Sequence, residues 1–274
     1  MSMTSQERPV GFFQYLKMKR RRHVKRLGKH LIRGLGSFLG KQSLVGDAPV
    51  MDSRHFAFLQ QFTDNSAAIR GEVIEILKHR DQIPLFQEVS KDQKKIAKGD
   101  NWRTFILFGF GNKLEKNCKQ APVTASLLEN VPNLQTAWFS ILAPGYHIPP
   151  HRGVSKGILR SHMGIMVPRD AEKCRMHVDT ETCVWREGEI FVFDDTYRHE
   201  VLNETPDERV VLIFDFDRPM RFWGRHINNL FVGLLKLSAY YQEPKSKMQS
   251  FEDRFEAATL RANTNLEKLS DPES

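Results

Sequence analysis

Between Phe13 and Phe38 the apolar residues Phe13, Leu16, Val24, Leu27, Leu31, Leu35 and Phe38 recur mostly every three or four positions, with Lys and Arg filling the steps. That period predicts an amphipathic basic helix. Gly28, Gly34, Gly36 and Gly40 oppose it, each costing about 1 kcal/mol relative to Ala in a helix interior. Beyond Met51 the pattern reads as helical for roughly thirty residues, with Ala67, Ile69, Val73, Ile76 and Leu77 on one face and Asn65 or Ser66 placed to cap it. A polar stretch from Ser90 to Asp100 follows. Short runs rich in aromatic and branched residues then predict six strands: Thr104 to Phe110, Thr136 to Leu142, His162 to Val167, Lys173 to Val178, Glu189 to Phe193 and Arg209 to Phe216. Helices followed by a cluster of short strands predict a mainly β architecture, an antiparallel sandwich or jelly roll with the N-terminal helices packed on one sheet. From Arg221 to Tyr241 helical spacing returns, with a basic rim and no acid, which fits either a membrane-facing segment or a helix covering the sheet. The tail from Glu243 is mostly polar, with Phe251 and Phe255 spaced for one weak helix face.

Composition changes this picture little. With 274 residues, 40% of them apolar, the chain can build a core, which excludes a disordered or fibrous protein. No run approaches the roughly 18 apolar residues of a spanning helix, and no apolar segment precedes the N-terminal charges as in a secretory signal. The expected location is cytoplasmic, with peripheral attachment to a membrane. Cys118, Cys174 and Cys183 are an odd number without Cys-x-x-Cys spacing, so buried free thiols are expected rather than disulfides or structural zinc.

Charge changes it more. Of 41 Lys and Arg, eleven lie between Arg8 and Gly46, where there is no Asp or Glu, so the remainder holds 30 basic against 33 acidic residues. The net charge of +8 is therefore a terminal patch. Each cation near an anionic membrane contributes about 1 kcal/mol, and an apolar helix face has no use on a duplex. An anionic membrane surface bound through 13–39 is thus the expected partner, and no specific nucleic acid is. The chain divides into 1–50, a basic segment; 51–219, a domain with a helical lead-in over 51–100 and the jelly roll over 101–219; and 220–274, a C-terminal helical extension with a polar tail.

His147, His151, His162, His177 and His199 sit on or beside the predicted strands, five of the ten histidines in the chain. His151 follows Ile148-Pro149-Pro150 at the mouth of a turn, and His199 follows Phe193-Asp194-Asp195 at the end of a strand. Histidines from separate strand ends can converge on one metal, since neutral imidazole suits iron, zinc, copper and nickel. Ser140, Arg160, His162 and Arg209 lie around the same strands. Arginine anchors a carboxylate through two parallel, charge-assisted hydrogen bonds. Arg209 opens an otherwise apolar strand, so its charge meets an acid, points to water or awaits an anionic ligand.

Pro150-His151-Arg152-Gly153, Leu159-Arg160-Ser161-His162-Met163-Gly164, Trp185-Arg186-Glu187-Gly188-Glu189, the run from Phe193 to Glu200, and finally Arg209 and Asp215 resemble the aspartyl/asparaginyl β-hydroxylase family of iron(II)- and 2-oxoglutarate-dependent dioxygenases. The resemblance covers roughly Trp102 to Pro219. It implies a double-stranded β-helix, a cupin-like jelly roll. It further implies that His151 and His199 bind iron, that Arg209 pairs with the distal carboxylate of 2-oxoglutarate, that Ser140, Arg160 and His162 complete that co-substrate site, and that Trp102 lies near it. Gly153 stands where many such oxygenases carry a third, carboxylate ligand, and the family shares that departure. Asp194 and Asp195 are expected to support the ligands or the turn, because metal-bound imidazoles commonly donate their other N–H to a carboxylate.

The implied reaction is hydroxylation of an unactivated C–H bond. Family members act on Asp or Asn residues of proteins, on free amino-acid units, or on the acyl chains of lipid A. The segment after Asp217-Arg218-Pro219-Met220 looks like the lipid A hydroxylase relatives, but the long apolar N-terminal segment expected of those is lacking. The β-carbon of Asp or Asn in a protein substrate is thus placed narrowly ahead of a lipid-linked acyl chain. A non-catalytic jelly-roll binding module is the rival from another class.

Overall fold

A computed structural model of the chain describes residues 34–89, 96–170, 172–237 and 247–261. The strands are β1 (Val50–Met51), β2 (Trp102–Gly109), β3 (Asn112–Lys113), β4 (Leu134–Leu142), β5 (His147–His151), β6 (Ile158–Met166), β7 (Cys174–Val178), β8 (Glu181–Val184), β9 (Ile190–Phe193), β10 (His199–Asn203) and β11 (Arg209–Asp217). The helices are α1 (34–42), α2 (Gln60–Asp64), α3 (Ser66–Leu77), α4 (Phe86–Val89), α5 (Glu115–Gln120), α6 (Pro122–Glu129), α7 (Phe222–Lys236) and α8 (247–261). A larger sheet has the order β1-β9-β6-β11-β4-β2-β3 and a smaller one β5-β10-β7-β8. From β4 onward the chain alternates between the sheets, except at the β7–β8 hairpin, which is the winding of a double-stranded β-helix.

Strand β11 shows why these residues make these layers. Side chains alternate between the faces of a strand. Val210, Leu212, Phe214 and Phe216 enter the core beneath α2, α3, α5 and α6, while Val211 and Ile213 enter the core between the sheets. Both faces are covered, so the strand reads as a continuous apolar run. Phe62 of α2 stacks on Phe214 with ring centroids 4.9 Å apart, and burying such a ring contributes about 2–3 kcal/mol. The same alternation turns Arg209 and Asp215 toward the smaller sheet.

The six expected strands are present, and five more occur among the described residues. Among the added strands are β5 and β10, which carry His151 and His199. β5 reads His-Ile-Pro-Pro-His, and proline cannot donate to a ladder. It is tolerated here because β5 is the edge of the smaller sheet. The helical lead-in is broken by 3-10 turns rather than continuous. In α3, Ile69, Val73 and Ile76 are buried as expected, but Ala67 faces solvent. Asn65 stands at the N-cap of α3 as expected but makes no side-chain capping bond; it also closes α2, and its amide donates back to the Gln61 carbonyl at 2.8 Å.

Most of the expected basic helix over 13–39 lies outside the described residues. Its described end, α1, buries Leu39, and Ser43 beyond it bridges to Met220. All three cysteines are buried and free. Among the described residues no helix is long and apolar enough to cross a membrane.

Candidate active site

His151 and His199 sit directly opposite one another on β5 and β10, their ring centroids 4.1 Å apart. They are the last residue of β5 and the first of β10, at strand ends as expected. Each Nδ1 lies against the carbonyl oxygen two residues earlier, Pro149 at 3.0 Å and Tyr197 at 2.9 Å. A carbonyl only accepts, so Nδ1 carries the proton in both rings and Nε2 keeps its lone pair. The backbone thus does what Asp194 or Asp195 was expected to do. Burial lowers both imidazole pKa values, that of His199 to about 3 with the help of its neighbour His151. Both rings are neutral at neutral pH, the form that binds a metal. No cluster of three or more His, Cys, Asp and Glu suited to a metal occurs among the described residues.

Deeper between the sheets, Arg209 is 1% exposed and has no Asp or Glu partner among the described ion pairs. Its Nη2 donates to Ser140 Oγ at 3.2 Å and its guanidinium lies over Trp185, 4.6 Å from the ring centre. Trp102, held by Phe86 stacked at 3.7 Å, donates from Nε1 to the same Ser140 oxygen at 3.0 Å. With both lone pairs used, the Ser140 hydroxyl proton is left to donate. Arg209 Nε and Nη1, both ring nitrogens of His162 and Trp185 Nε1 are buried without a hydrogen-bond partner. Burial lowers the Arg209 pKa to about 10 and, with the Arg209 charge, drives that of His162 well below its usual value. Orphaned buried polar atoms in such number demand an explanation. Arg209 and His162 line the cavity with Ser140, so their free N–H groups and the Ser140 hydroxyl are placed to donate to a carboxylate there.

Arg160 stands apart from this cluster. It grips Asp215 on the adjacent strand through Nε and Nη2 at 2.7 and 2.8 Å, and lies 3.6 Å from Asp195. Thr136 extends the row, donating to Asp215 at 2.7 Å. The two aspartates before His199 divide their work. Asp194 is buried and ties the β9–β10 turn to Arg218, to Lys156 and to the Thr196 N–H and hydroxyl. Asp195 lines the cavity, and burial raises its pKa to about 7 against the lowering effect of Arg160. Its carboxylate lies against Gly153, where any Cβ would collide with it. Gly153→Asp is therefore expected to cost about 1–3 kcal/mol of stability through overpacking, read by thermal unfolding, and to add no metal affinity. Unchanged stability would contradict this packing.

Gln135, Thr136, Arg160 and Asp215 line the same cavity as the histidines, and part of its wall is an apolar arm of Val89, Ile106, Phe110, Trp138 and Met248. The five residues of the arm come from α4, β2, the β2–β3 turn, β4 and α8, which no local pattern joins. The placements of Trp185 beneath Arg209 and of Arg218 against Asp194 likewise follow only from strand pairing. One signal was available: Arg209 and Asp215 are six residues apart on one strand and must share its inward face.

Fold and site together define a double-stranded β-helix with a histidine pair and a buried arginine without a carboxylate partner in one cavity. The family model for aspartyl/asparaginyl β-hydroxylases matches residues 63–219, and the chain belongs to that family of hydroxylases. The ornithine lipid ester-linked acyl 2-hydroxylase of Rhizobium tropici is 37% identical over 217 residues, covering 79% of this chain and 77% of that protein. The aspartyl/asparaginyl β-hydroxylase of Homo sapiens is 36% identical over 134 residues, covering 47% of this chain and 17% of that protein. A solved oxidoreductase of the 2OG-Fe(II) oxygenase family from Burkholderia pseudomallei overlaps with a TM-score of 0.30 at 13% identity, over 43% of this chain and 66% of that one.

Proposed function

We propose that this protein is an iron(II)- and 2-oxoglutarate-dependent dioxygenase that hydroxylates an acyl chain of a membrane lipid. The observation that carries the substrate is the apolar arm in the wall of the cavity that His151 and His199 also line. An Asp or Asn side chain against these five apolar residues would leave its polar group unpaired, at a cost of roughly 1–3 kcal/mol, unless it reached the row of Gln135, Thr136, Arg160 and Asp215 in the same cavity. Arg160, which lines the cavity with the histidines, is already engaged by Asp215. An acyl chain loses nothing in the same place. The Rhizobium tropici relative, matched over most of both chains, supports this choice. It reverses the narrow preference for protein Asp or Asn drawn from sequence.

His151 and His199 hold the iron through Nε2, oriented by the Pro149 and Tyr197 carbonyls. Arg209 takes the distal carboxylate of 2-oxoglutarate, with the Ser140 hydroxyl and His162 filling its remaining acceptor sites and Trp102 fixing Ser140. Arg160 closes the co-substrate side beside Asp195. The bound iron supplies the oxidising chemistry, which consumes 2-oxoglutarate and dioxygen and leaves succinate, carbon dioxide and a hydroxylated carbon. The protein's part is placement and exclusion of water; no side chain acts as a nucleophile.

The test is incubation with iron(II), 2-oxoglutarate and air, alongside either an ester-linked acyl ornithine lipid or Asp- and Asn-containing peptides. Mass spectrometry is expected to find one added oxygen on the acyl chain. Its appearance on the peptides alone would overturn the acyl reading. Narrowing the arm with Met248→Trp is expected to raise KM for the lipid about tenfold, as lost apolar contacts do, while 2-oxoglutarate affinity holds. Equal effects on both would place Met248 outside the acyl path.

A further inference from the structure

Helix α7 is inside out for a helix of a soluble surface. The residues it buries are Gly224, Asn228 and Val232, while Phe222, Trp223, Ile227, Leu230 and Leu234 face outward, with Leu237 just beyond. Trp223 is 68% and Leu230 66% exposed. The sequence left open whether this segment covers the sheet or faces a membrane; its bulky residues do not cover the sheet. A contiguous exposed apolar stripe marks a contact surface.

Charge narrows the partner. Residues 218–242 contain no Asp or Glu, and Arg221 and Arg225 stand exposed at the start of the helix, with Lys236 in its last turn. Cations at a helix N-terminus oppose the helix dipole, so Arg221 and Arg225 do not serve the helix. A second copy of α7 would bring cations against cations with no carboxylate in either helix to answer them. An anionic lipid surface satisfies both features, taking the apolar side chains into its interface and the cations at its headgroups.

Position gives the surface a purpose. Midway along, α7 is pinned where Asn228 Nδ2 donates to the Gly157 carbonyl at 3.1 Å. At its end the Lys236 ammonium reaches the β2–β3 turn, 3.5 Å from where a side chain at Gly111 would begin. The neighbours of those glycines, Ser155 and Ile158 on one side and Phe110 on the other, line the cavity. Val154, on the same lip as Ser155, is both exposed and cavity-lining. We infer that α7, through its outward Phe222–Leu234 stripe and its cations, seats the protein on an anionic phospholipid surface with the lips of the cavity beside the bilayer. An acyl chain then passes from lipid into the apolar arm without crossing water. That purpose rests on the acyl reading above; the binding itself does not.

The experiment reads binding without turnover. Full-length protein, without iron or 2-oxoglutarate, is mixed with vesicles of phosphatidylcholine alone or with phosphatidylglycerol, carrying bromine on the acyl chains. Binding is expected to favour the anionic vesicles and to quench Trp223 emission. Trp102 and Trp185 are buried and Trp138 is half-buried in the cavity wall, so Trp223→Phe, compared in a Trp138→Phe background, is expected to keep binding while losing most of the quenching. Leu230→Ser with Leu234→Ser is expected to weaken partitioning by roughly tenfold or more, from the apolar area withdrawn. Parent-like binding by the double variant, or quenching unchanged in Trp223→Phe, overturns the seating. So does a parent dimer in sedimentation equilibrium that the double variant dissolves. Vesicle binding that holds while lipid hydroxylation fails leaves the seating in place and removes only the acyl substrate.

Discussion

His199→Ala is expected to take iron(II) binding out of measurable range and to abolish turnover, while leaving the apoprotein folded. With two histidines as the protein donors, removing one leaves a single imidazole, which cannot hold the metal against water. The structural loss is small. His199 is neutral, and its one protein hydrogen bond goes to the Tyr197 carbonyl, so its removal costs about 1 kcal/mol plus a modest cavity. Isothermal titration with cobalt(II) or iron(II) under nitrogen, with a thermal unfolding curve beside it, separates the two effects. Retained stoichiometric binding would remove His199 from the metal site.

Arg209→Met is expected to do the opposite: keep the metal, weaken 2-oxoglutarate by about 2–5 kcal/mol, and raise the stability of the ligand-free protein. The last effect is the more telling. A buried guanidinium without a carboxylate partner is destabilising, and an apolar group of similar volume in place of a buried charge is often neutral or better by about 1–4 kcal/mol. The arginine gives up one bond to Ser140 and its place over Trp185. Saturating 2-oxoglutarate should stabilise the parent by mass action and leave the variant unmoved. A variant that melts earlier than the ligand-free parent would mean Arg209 is there for the fold.

Much of this was legible in the sequence because the larger sheet is buried on both faces. Its five longer strands, β2, β4, β6, β9 and β11, read as apolar runs and were expected, while the two-residue β1 and β3 were not. The smaller sheet was not legible in the same way. β5 carries two prolines, and β10 reads His-Glu-Val-Leu-Asn, with polar His199 and Asn203 at buried positions, the first at the site and the second tying backbone carbonyls of neighbouring loops. The histidines were therefore found as residues before their strands were. The anion pocket was half visible, since Arg209 opens an apolar strand, but its orphaned partners Trp185 and His162 meet it only after the sheets pair. The apolar arm draws on α4, β2, β4 and α8, and contacts of that separation leave no periodic trace. α7 was legible as a helix, yet only the fold reveals which face it buries.

The most direct test of the central claim is anaerobic titration of the iron(II)-loaded protein with 2-oxoglutarate, watching for the weak visible absorption of a 2-oxo acid chelated to iron. The account predicts that the band grows to a one-to-one endpoint, disappears in His151→Ala, and needs far more 2-oxoglutarate in Arg209→Met. Well-folded, iron-loaded protein that develops no band would contradict it and leave a jelly roll that binds without oxidising.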